Sequence, residues 1–112
     1  MSLARSRCYV DTIDGWLDID YRVFADFPRV FFVHTSHRWL FASASFAESQ
    51  EDSAPFDVYD MGELSPTSLG RDWRVAPERA RSLLGRVTLG PESFDETLRH
   101  AVSVEAMRQF LD

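Results

Sequence analysis

The chain has 112 residues, of which 45% are hydrophobic and 27% are charged, and its formal net charge is −6 at pH 7. This length is usual for one domain, and the fifteen aromatic residues can fill a core without disulfide or metal support. The single cysteine, Cys8, excludes an intrachain disulfide and suits a reducing compartment. The first residues lack the apolar core of a signal peptide. We therefore expect one cytoplasmic domain over residues 1–112.

The basic residues are all arginine, because the sequence contains no lysine, and it contains no asparagine either. Codons for both missing residues are AT-rich, so the composition indicates a GC-rich, bacterial genome. Residues 1–63 hold eleven of the eighteen carboxylates and only five of the twelve arginines, whereas residues 64–112 are neutral. An acidic half repels nucleic acid and anionic membranes and attracts cationic proteins. We therefore expect a basic protein partner, and neither nucleic-acid nor membrane binding.

The first sixty residues predict strands. Ser6–Ile13 contains enough apolar residues for an opening strand, and Asp14 with Gly15 is typical of a tight turn. Residues 17–24 alternate between apolar and charged side chains, which indicates a half-buried strand. Its predicted inner face holds Leu17, Ile19, Tyr21 and Val23, and its outer face holds Asp18, Asp20 and Arg22.

An aromatic hairpin follows a corner at Pro28. Its strands are predicted at residues 29–34 and 37–46, with the bend at Thr35–Ser36. In that register His34 lies opposite His37, Phe32 opposite Trp39 and Val30 opposite Phe41, and both faces of the hairpin are apolar. Such a hairpin must be covered twice. Helices and a curled sheet would do this within the chain; otherwise a partner or a second copy would cover one face.

Residues 47–55 form a polar, acidic stretch that predicts an exposed loop. Residues 56–60 alternate again and predict a strand with Asp57 and Asp60 pointing outward. Residues 62–76 predict a loop with one short turn at residues 65–69.

Helical signals dominate the remainder of the chain. Pro77 and Gly85 bracket a predicted short helix over residues 77–84, before a brief strand at residues 87–89. A capping box, Ser93 to Glu96, and helical spacing of apolar residues predict one or two helices over residues 94–111, with Ser103 as a candidate cap for the second. The predicted fold is α+β: a mainly antiparallel sheet of four to six strands from about residues 6–60, with C-terminal helices packed on one face.

Catalytic signatures are missing from the sequence. It contains no Gly-x-Ser-x-Gly elbow, no Gly-x-Gly-x-x-Gly loop and no Walker loop, and the lack of lysine excludes Schiff-base chemistry. His34 and His37 are weak metal candidates, because a hairpin bend supplies no obvious third ligand. We therefore expect no catalytic residues, no metal and no cofactor.

The acidic residues of the first half suggest a surface for a partner. Asp18 and Asp20 share a strand face, Asp57 extends it, and Trp16 supplies an aromatic anchor of a type common in interfaces. The leading interpretation is a small protein that binds and neutralises a basic protein, of the immunity-protein or nuclease-inhibitor type. Two alternatives remain: a small-ligand domain or modest enzyme with a pocket between sheet and helices, and a homodimer through residues 29–46. The predicted partner-binding residues are Asp14, Trp16, Asp18, Asp20, Glu48, Glu51, Asp52 and Asp57.

Overall fold

The structure, a computed structural model, describes residues 15–48, 50, 52–95 and 100–111. Six strands form one antiparallel sheet in the order β5-β4-β3-β2-β1-β6. The predicted strand Ser6–Ile13 and the turn residue Asp14 lie outside the described residues. The strands are β1 (Trp16–Ala25), β2 (Phe27–His34), β3 (Trp39–Ala44), β4 (Ala54–Gly62), β5 (Ser82–Leu89) and β6 (Ala101–Ser103). The α-helices are α1 (Pro66–Leu69), α2 (Ala76–Arg79) and α3 (Val104–Met107), with 3-10 turns at Phe46–Glu48, Trp73–Val75, Pro91–Ser93 and Arg108–Phe110.

The α+β class and the antiparallel sheet are confirmed, but the helices are only single turns. The prediction that the sheet ends near residue 60 is wrong, because β5 and β6 come from the second half of the chain. These two strands occupy the opposite edges of the sheet, and both contribute to one core through Leu89 and Val102. The sheet is therefore curled around that core.

β1 confirms the predicted strand at residues 17–24, with one change of face. Leu17, Ile19 and Tyr21 belong to the larger core cluster, as the alternation predicts. The pairing with β2 then shifts by one residue between Tyr21 and Val23, which is a β-bulge at Arg22. Because the bulge shifts the alternation of side chains between the two faces by one residue, Val23 packs on the other face of the sheet.

The hairpin of β2 and β3 has a longer loop than predicted. His34 pairs with Trp39, Phe32 with Phe41 and Val30 with Ser43, so the predicted register is wrong by two residues. Thr35 explains the difference: its Oγ1 accepts hydrogen bonds from the backbone N of His37 and Arg38, at 3.3 and 3.2 Å. A slip of two residues preserves which face each side chain occupies, so the prediction that both faces are apolar is confirmed.

Each face of the hairpin is covered within the chain. The large cluster lies inside the curl of the sheet and includes Phe31, Val33 and Leu40, together with Met107 and Phe110 from the end of the chain. The small cluster lies on the opposite face. It consists of Val30, Phe32, Phe41, Met61 and Ala76, with Val23, Trp39, Tyr59, Leu64, Leu69, Trp73 and Ala80 packed against it.

The helix predicted at residues 77–84 is wrong beyond its first turn. α2 ends at Arg79, and Ser82–Leu84 already belong to β5. The pairing of β4 with β5 shifts at Leu84, so this residue is a bulge that turns toward the large cluster. Pro77 and Gly85 are at positions that favour a helix, and one helical turn does form at α2. Beyond this turn, pairing with β4 overrides the local preference.

The helix predicted from residue 94 is also wrong at its start. Phe94 forms an isolated bridge with Val102, and Ala101–Ser103 is a strand. Phe94 is buried in the large cluster, where its ring lies 5.8 Å from that of Phe27. The predicted cap is confirmed, because the Ser103 side chain accepts a hydrogen bond from the N of Ala106 at the start of α3.

Candidate functional site

Three of the predicted partner-binding residues lie in a row on one face of β1. Leu17 and Ile19 point into the large cluster, so Trp16, Asp18 and Asp20 point to the other face, and all three are exposed. We call these three residues the β1 row. The short strand β6 flanks it, with Ser103 paired to Trp16 and Ala101 to Asp18. Neither neighbour is charged, and Asp18 is exposed beside Trp16, which is 36% exposed.

The two aspartates of the β1 row differ in their partners. Asp20 forms an ion pair with Arg22, whose guanidinium carbon also lies 5.5 Å from the centre of the Phe32 ring. Asp18 forms no ion pair with any residue that the structure describes. Among the described residues, Asp18 is therefore the carboxylate of the row that no arginine pairs with.

A second acidic group lies on β4 and the turn before it. Arg86 donates from Nε to Asp57 at 3.0 Å and from Nη1 to Glu48 at 3.2 Å. The hydrogen bond that Arg86 donates to Asp57 and the charges of both carboxylates raise the pKa of Arg86 above its ordinary value, so the guanidinium stays protonated. Two carboxylates share one cation here, which weakens the negative field of this group. Asp52 is exposed in the following loop, without an ion pair to a described residue.

The predicted acidic patch is thus two separate groups on the same face of the sheet. Asp20, Phe32, Phe41 and Tyr59 are successive cross-strand neighbours, and Asp57 lies two residues before Tyr59. Three strand spacings of 4.7–4.9 Å separate β1 from β4, which is about 14 Å. The apolar small cluster fills the space between them. Asp14 and Glu51, the other predicted members, lie outside the described residues.

The two hairpin histidines have different surroundings. The ring of His34 stacks on that of Trp39, with centroids 4.5 Å apart and an interplanar angle of 6°. His37 is exposed in the loop. Within the described ranges, no group of three or more histidine, cysteine, aspartate or glutamate side chains could hold a metal ion. The cross-strand pair of His34 with Trp39 depends on the four-residue loop, which the sequence did not predict.

Asp60 was predicted to point outward, and this is wrong. It is 7% exposed, and its carboxylate accepts hydrogen bonds from the N of Gly62 at 2.8 Å and from Arg38 at 3.2 Å. Arg38 also donates to the carbonyl oxygen of Phe110 at 3.0 Å. The signal for this role is Asp60-Met-Gly62, since aspartate two residues before a glycine often accepts from that glycine's backbone N–H. This node ties the hairpin loop, β4 and the end of the chain together.

Arg29 is a second buried charge that sequence reasoning missed. It is 5% exposed, and its guanidinium carbon lies 3.9 Å from the centre of the Phe27 ring. Its Nε donates to the carbonyl oxygen of Ala25 at 2.9 Å and its Nη2 to that of Gln50 at 3.4 Å. Arginine and phenylalanine two positions apart on one strand share a face, which is the available sequence signal. Arg29 therefore holds the loop after β3 against β2.

Tyr59 is half-buried beside the small cluster, with its ring 6.0 Å from that of Phe41. Burial raises the pKa of its phenol above the ordinary value of 10.0, and the charge of Asp57 adds to this. The phenol is thus neutral near pH 7 and contributes no charge to the face on which the β1 row lies.

Comparisons of the chain with models of known protein families, with curated proteins and with solved structures found no match. No helix among the described residues combines the length and the apolar character needed to cross a bilayer. Function is therefore inferred from the geometry and charge of the chain itself.

Proposed function

We propose that the protein binds and neutralises a basic protein partner through the β1 row, in the manner of a small acidic nuclease inhibitor or immunity protein. The observation that carries this proposal is Asp18, an exposed carboxylate without an ion pair among the described residues, next to the partly exposed indole of Trp16. An aromatic anchor beside a free charge is a common arrangement at protein interfaces.

Long-range charge supports the same proposal. The first 63 residues carry the whole excess of six negative charges, so the field favours approach of a cationic protein. A nuclease presents a cationic groove to the phosphate backbone of its substrate, and carboxylates from an inhibitor can occupy that groove. The β1 row is favoured over the group at β4, because Arg86 already satisfies both Asp57 and Glu48 there.

The first experiment is a pull-down with the tagged chain from a lysate of its native host, washed at low and then at high salt and analysed by mass spectrometry. We expect one stoichiometric basic protein that elutes as the salt concentration rises. Retention of no specific protein at low salt would contradict the proposal.

Two matched charge reversals then locate the surface on the captured partner. Asp18→Arg and Asp52→Arg change the net charge equally, and both residues are exposed, but only Asp18 belongs to the β1 row. We expect Asp18→Arg to slow association about tenfold or more at low salt, with a smaller effect at high salt. Asp52→Arg should have a clearly smaller effect. Equal effects of the two variants would leave net charge as the only determinant and would exclude the β1 row as the contact surface.

A further inference from the structure

Residues 63–80 cross the small cluster as a strap that buries little of its own surface. Of its residues only Pro66 and Ala76 are buried, and both have small side chains. Its larger apolar residues, Leu64, Leu69 and Trp73, are half-buried against the cluster. The side chains beneath the strap are larger and fully covered: Phe32 is 0% and Phe41 is 1% exposed. The strap thus covers an aromatic surface with side chains that are small or only half-buried.

Hydrogen bonds of the strap are almost entirely local. Within the described part of the chain, the backbone bonds outside its helical turns join Ser68 to Ser65, Gly70 to Thr67 and Val75 to Asp72. Among the described residues, a single backbone hydrogen bond joins the strap to the sheet, from the N of Leu64 to the carbonyl oxygen of Met61 at the first end of the strap. β3 and β4, by contrast, are paired along both of their edges.

The two ends of the strap are fixed close together. Gly62, with φ of +61°, lies where the chain leaves β4, and a Cβ at this glycine would lie 2.7 Å from the side chain of Arg81. At the other end, the N of Arg81 donates to the carbonyl oxygen of Asp60 at 2.7 Å. The strap is therefore a closed loop whose ends stay on the sheet when its middle moves.

We propose that the strap opens as a unit while the sheet remains folded, and that this opening uncovers the aromatic side chains of the small cluster. Local opening requires the least free energy where few apolar contacts and few long-range hydrogen bonds must break. The strap meets the hydrogen-bond condition, and the side chains through which it packs on the small cluster are small or only half-buried. The large cluster does not open in this way, because its buried side chains come from all six strands of the sheet.

Two pairs of cysteine variants test the proposal, each made in a Cys8→Ser background. Ala76→Cys lies in the strap and Ala42→Cys on β3, and both alanines are 0% exposed. Val30→Cys and Val33→Cys lie on the same strand, on opposite faces, and both valines are also 0% exposed. The first pair reports movement of the strap, and the second reports whether the sheet face beneath it is uncovered.

We measure modification of each thiol by a disulfide reagent without denaturant, relative to its rate in the unfolded chain. Opening of the strap predicts rates about tenfold or more higher for Ala76→Cys than for Ala42→Cys, and for Val30→Cys than for Val33→Cys. Equal rates within both pairs would overturn the proposal. Fast modification of Ala76→Cys alone would also overturn it, because the strap would then fray without uncovering the sheet.

Hydrogen exchange tests the opening of the strap in the unaltered chain, without any substitution. Amides of the strap should exchange about tenfold or more faster than those of β3 and β4, and low urea should hardly change their rate, because a small opening exposes little surface. Equal protection of strap and strands, with equal dependence on urea, would contradict the proposal.

Discussion

Asp60 and Arg38 show how a single charge pair can join distant parts of the chain. The side chain of Asp60 is 10% exposed and that of Arg38 is 22% exposed. Removal of Asp60 takes the carboxylate acceptor from Arg38, which keeps the carbonyl oxygen of Phe110, and leaves the backbone N of Gly62 without this acceptor in a poorly hydrated site. We therefore attribute a structural role to the hydrogen bonds of Asp60 and Arg38.

Asp60→Ala should lower the free energy of unfolding by about 2–4 kcal/mol, because it removes the counter-charge of a partly buried guanidinium and leaves the backbone N–H of Gly62 without its acceptor. Asp20→Ala is the matched control, since it breaks the exposed pair with Arg22 and should change stability by less than about 1 kcal/mol. Urea unfolding measures both values. Similar losses of unfolding free energy for the two variants would contradict the prediction that the buried pair contributes more to stability than the exposed pair.

Tyr59 gives a prediction about alkaline pH. Its pKa in the folded chain is raised by burial and then by Asp57, so above pH 10.0 an unfolded chain loses the phenolic proton before the folded chain does. The unfolded state then binds fewer protons, and stability falls as the pH rises. Tyr59→Phe should reduce this fall. Urea unfolding at pH 9 and at higher pH, with tyrosinate absorbance as the titration signal, checks this prediction. The same change in the free energy of unfolding with pH in both proteins would contradict it.

At the scale of elements, the end of the chain is a closing piece for the curled sheet. α3 follows β6 at one edge, and the ring of Phe110 reaches β5 at the other edge, where a Cβ on Gly85 would lie 3.5 Å from it. Phe110 is 3% exposed, whereas the adjacent Gln109 is exposed. A short 3-10 turn therefore connects the two edges of the sheet through one aromatic ring.

Phe110→Ala should lower the free energy of unfolding by about 3 kcal/mol, because it removes a large buried side chain and leaves a cavity. Gln109→Ala is the control at the neighbouring exposed position and should have an effect within about 0.5 kcal/mol. Thermal or urea unfolding distinguishes the two. A loss below 1 kcal/mol for Phe110→Ala would mean that the large cluster does not depend on the end of the chain.

Elements with a local pattern could be predicted from the sequence, and elements made by distant pairing could not. β1 and β4 carry an alternation of period two, which any strand with one buried face must show. Pro77 and Gly85 predict a helix over residues that include the start of β5, and β6 is only three residues long. Both are strands because β4 and β1 offer unpaired edges to them, and a local pattern contains no information about those edges.

The candidate site was predictable in the same sense. The period of β1 places Trp16, Asp18 and Asp20 on one face without knowledge of any other strand. The partners of Glu48 and Asp57 were not predictable, because Arg86 reaches them only through the register of β4 with β5. Cross-strand register therefore decides which acidic residues keep a free charge.

At the scale of the molecule, the arginines divide the acidic surface into unequal parts. Arg22 and Arg86 lie on the same face of the sheet as the acidic residues that they pair with, at β1 and at β5. Arg38 and Arg29 instead contact buried residues: Arg38 pairs with Asp60, and Arg29 lies over the ring of Phe27. The excess negative charge of the first half is therefore least neutralised at carboxylates that form no ion pair with an arginine. Among the described residues these include Asp18 and Asp52.

The oligomeric state follows from how the apolar surface is distributed. Both faces of the hairpin are covered within the chain, which removes the reason for expecting a homodimer through residues 29–46. The large apolar side chains that are exposed among the described residues are Trp16, Phe24 and Leu83. The first two lie near opposite ends of β1, and Leu83 lies on β5, four strands away. Scattered apolar residues of this kind do not form the contiguous patch that a stable dimer buries.

We therefore expect the 112-residue chain to sediment as a monomer of 12.9 kDa at all micromolar concentrations. Sedimentation velocity at low and high salt checks this, and the two salt conditions separate two causes of association. A dimer that forms only at high salt would indicate that net charge of −6, rather than the lack of an apolar patch, keeps the chains apart. A dimer at low salt would contradict the prediction, and Leu83→Glu, which places a charge on the edge strand β5, would then show whether that edge is the contact.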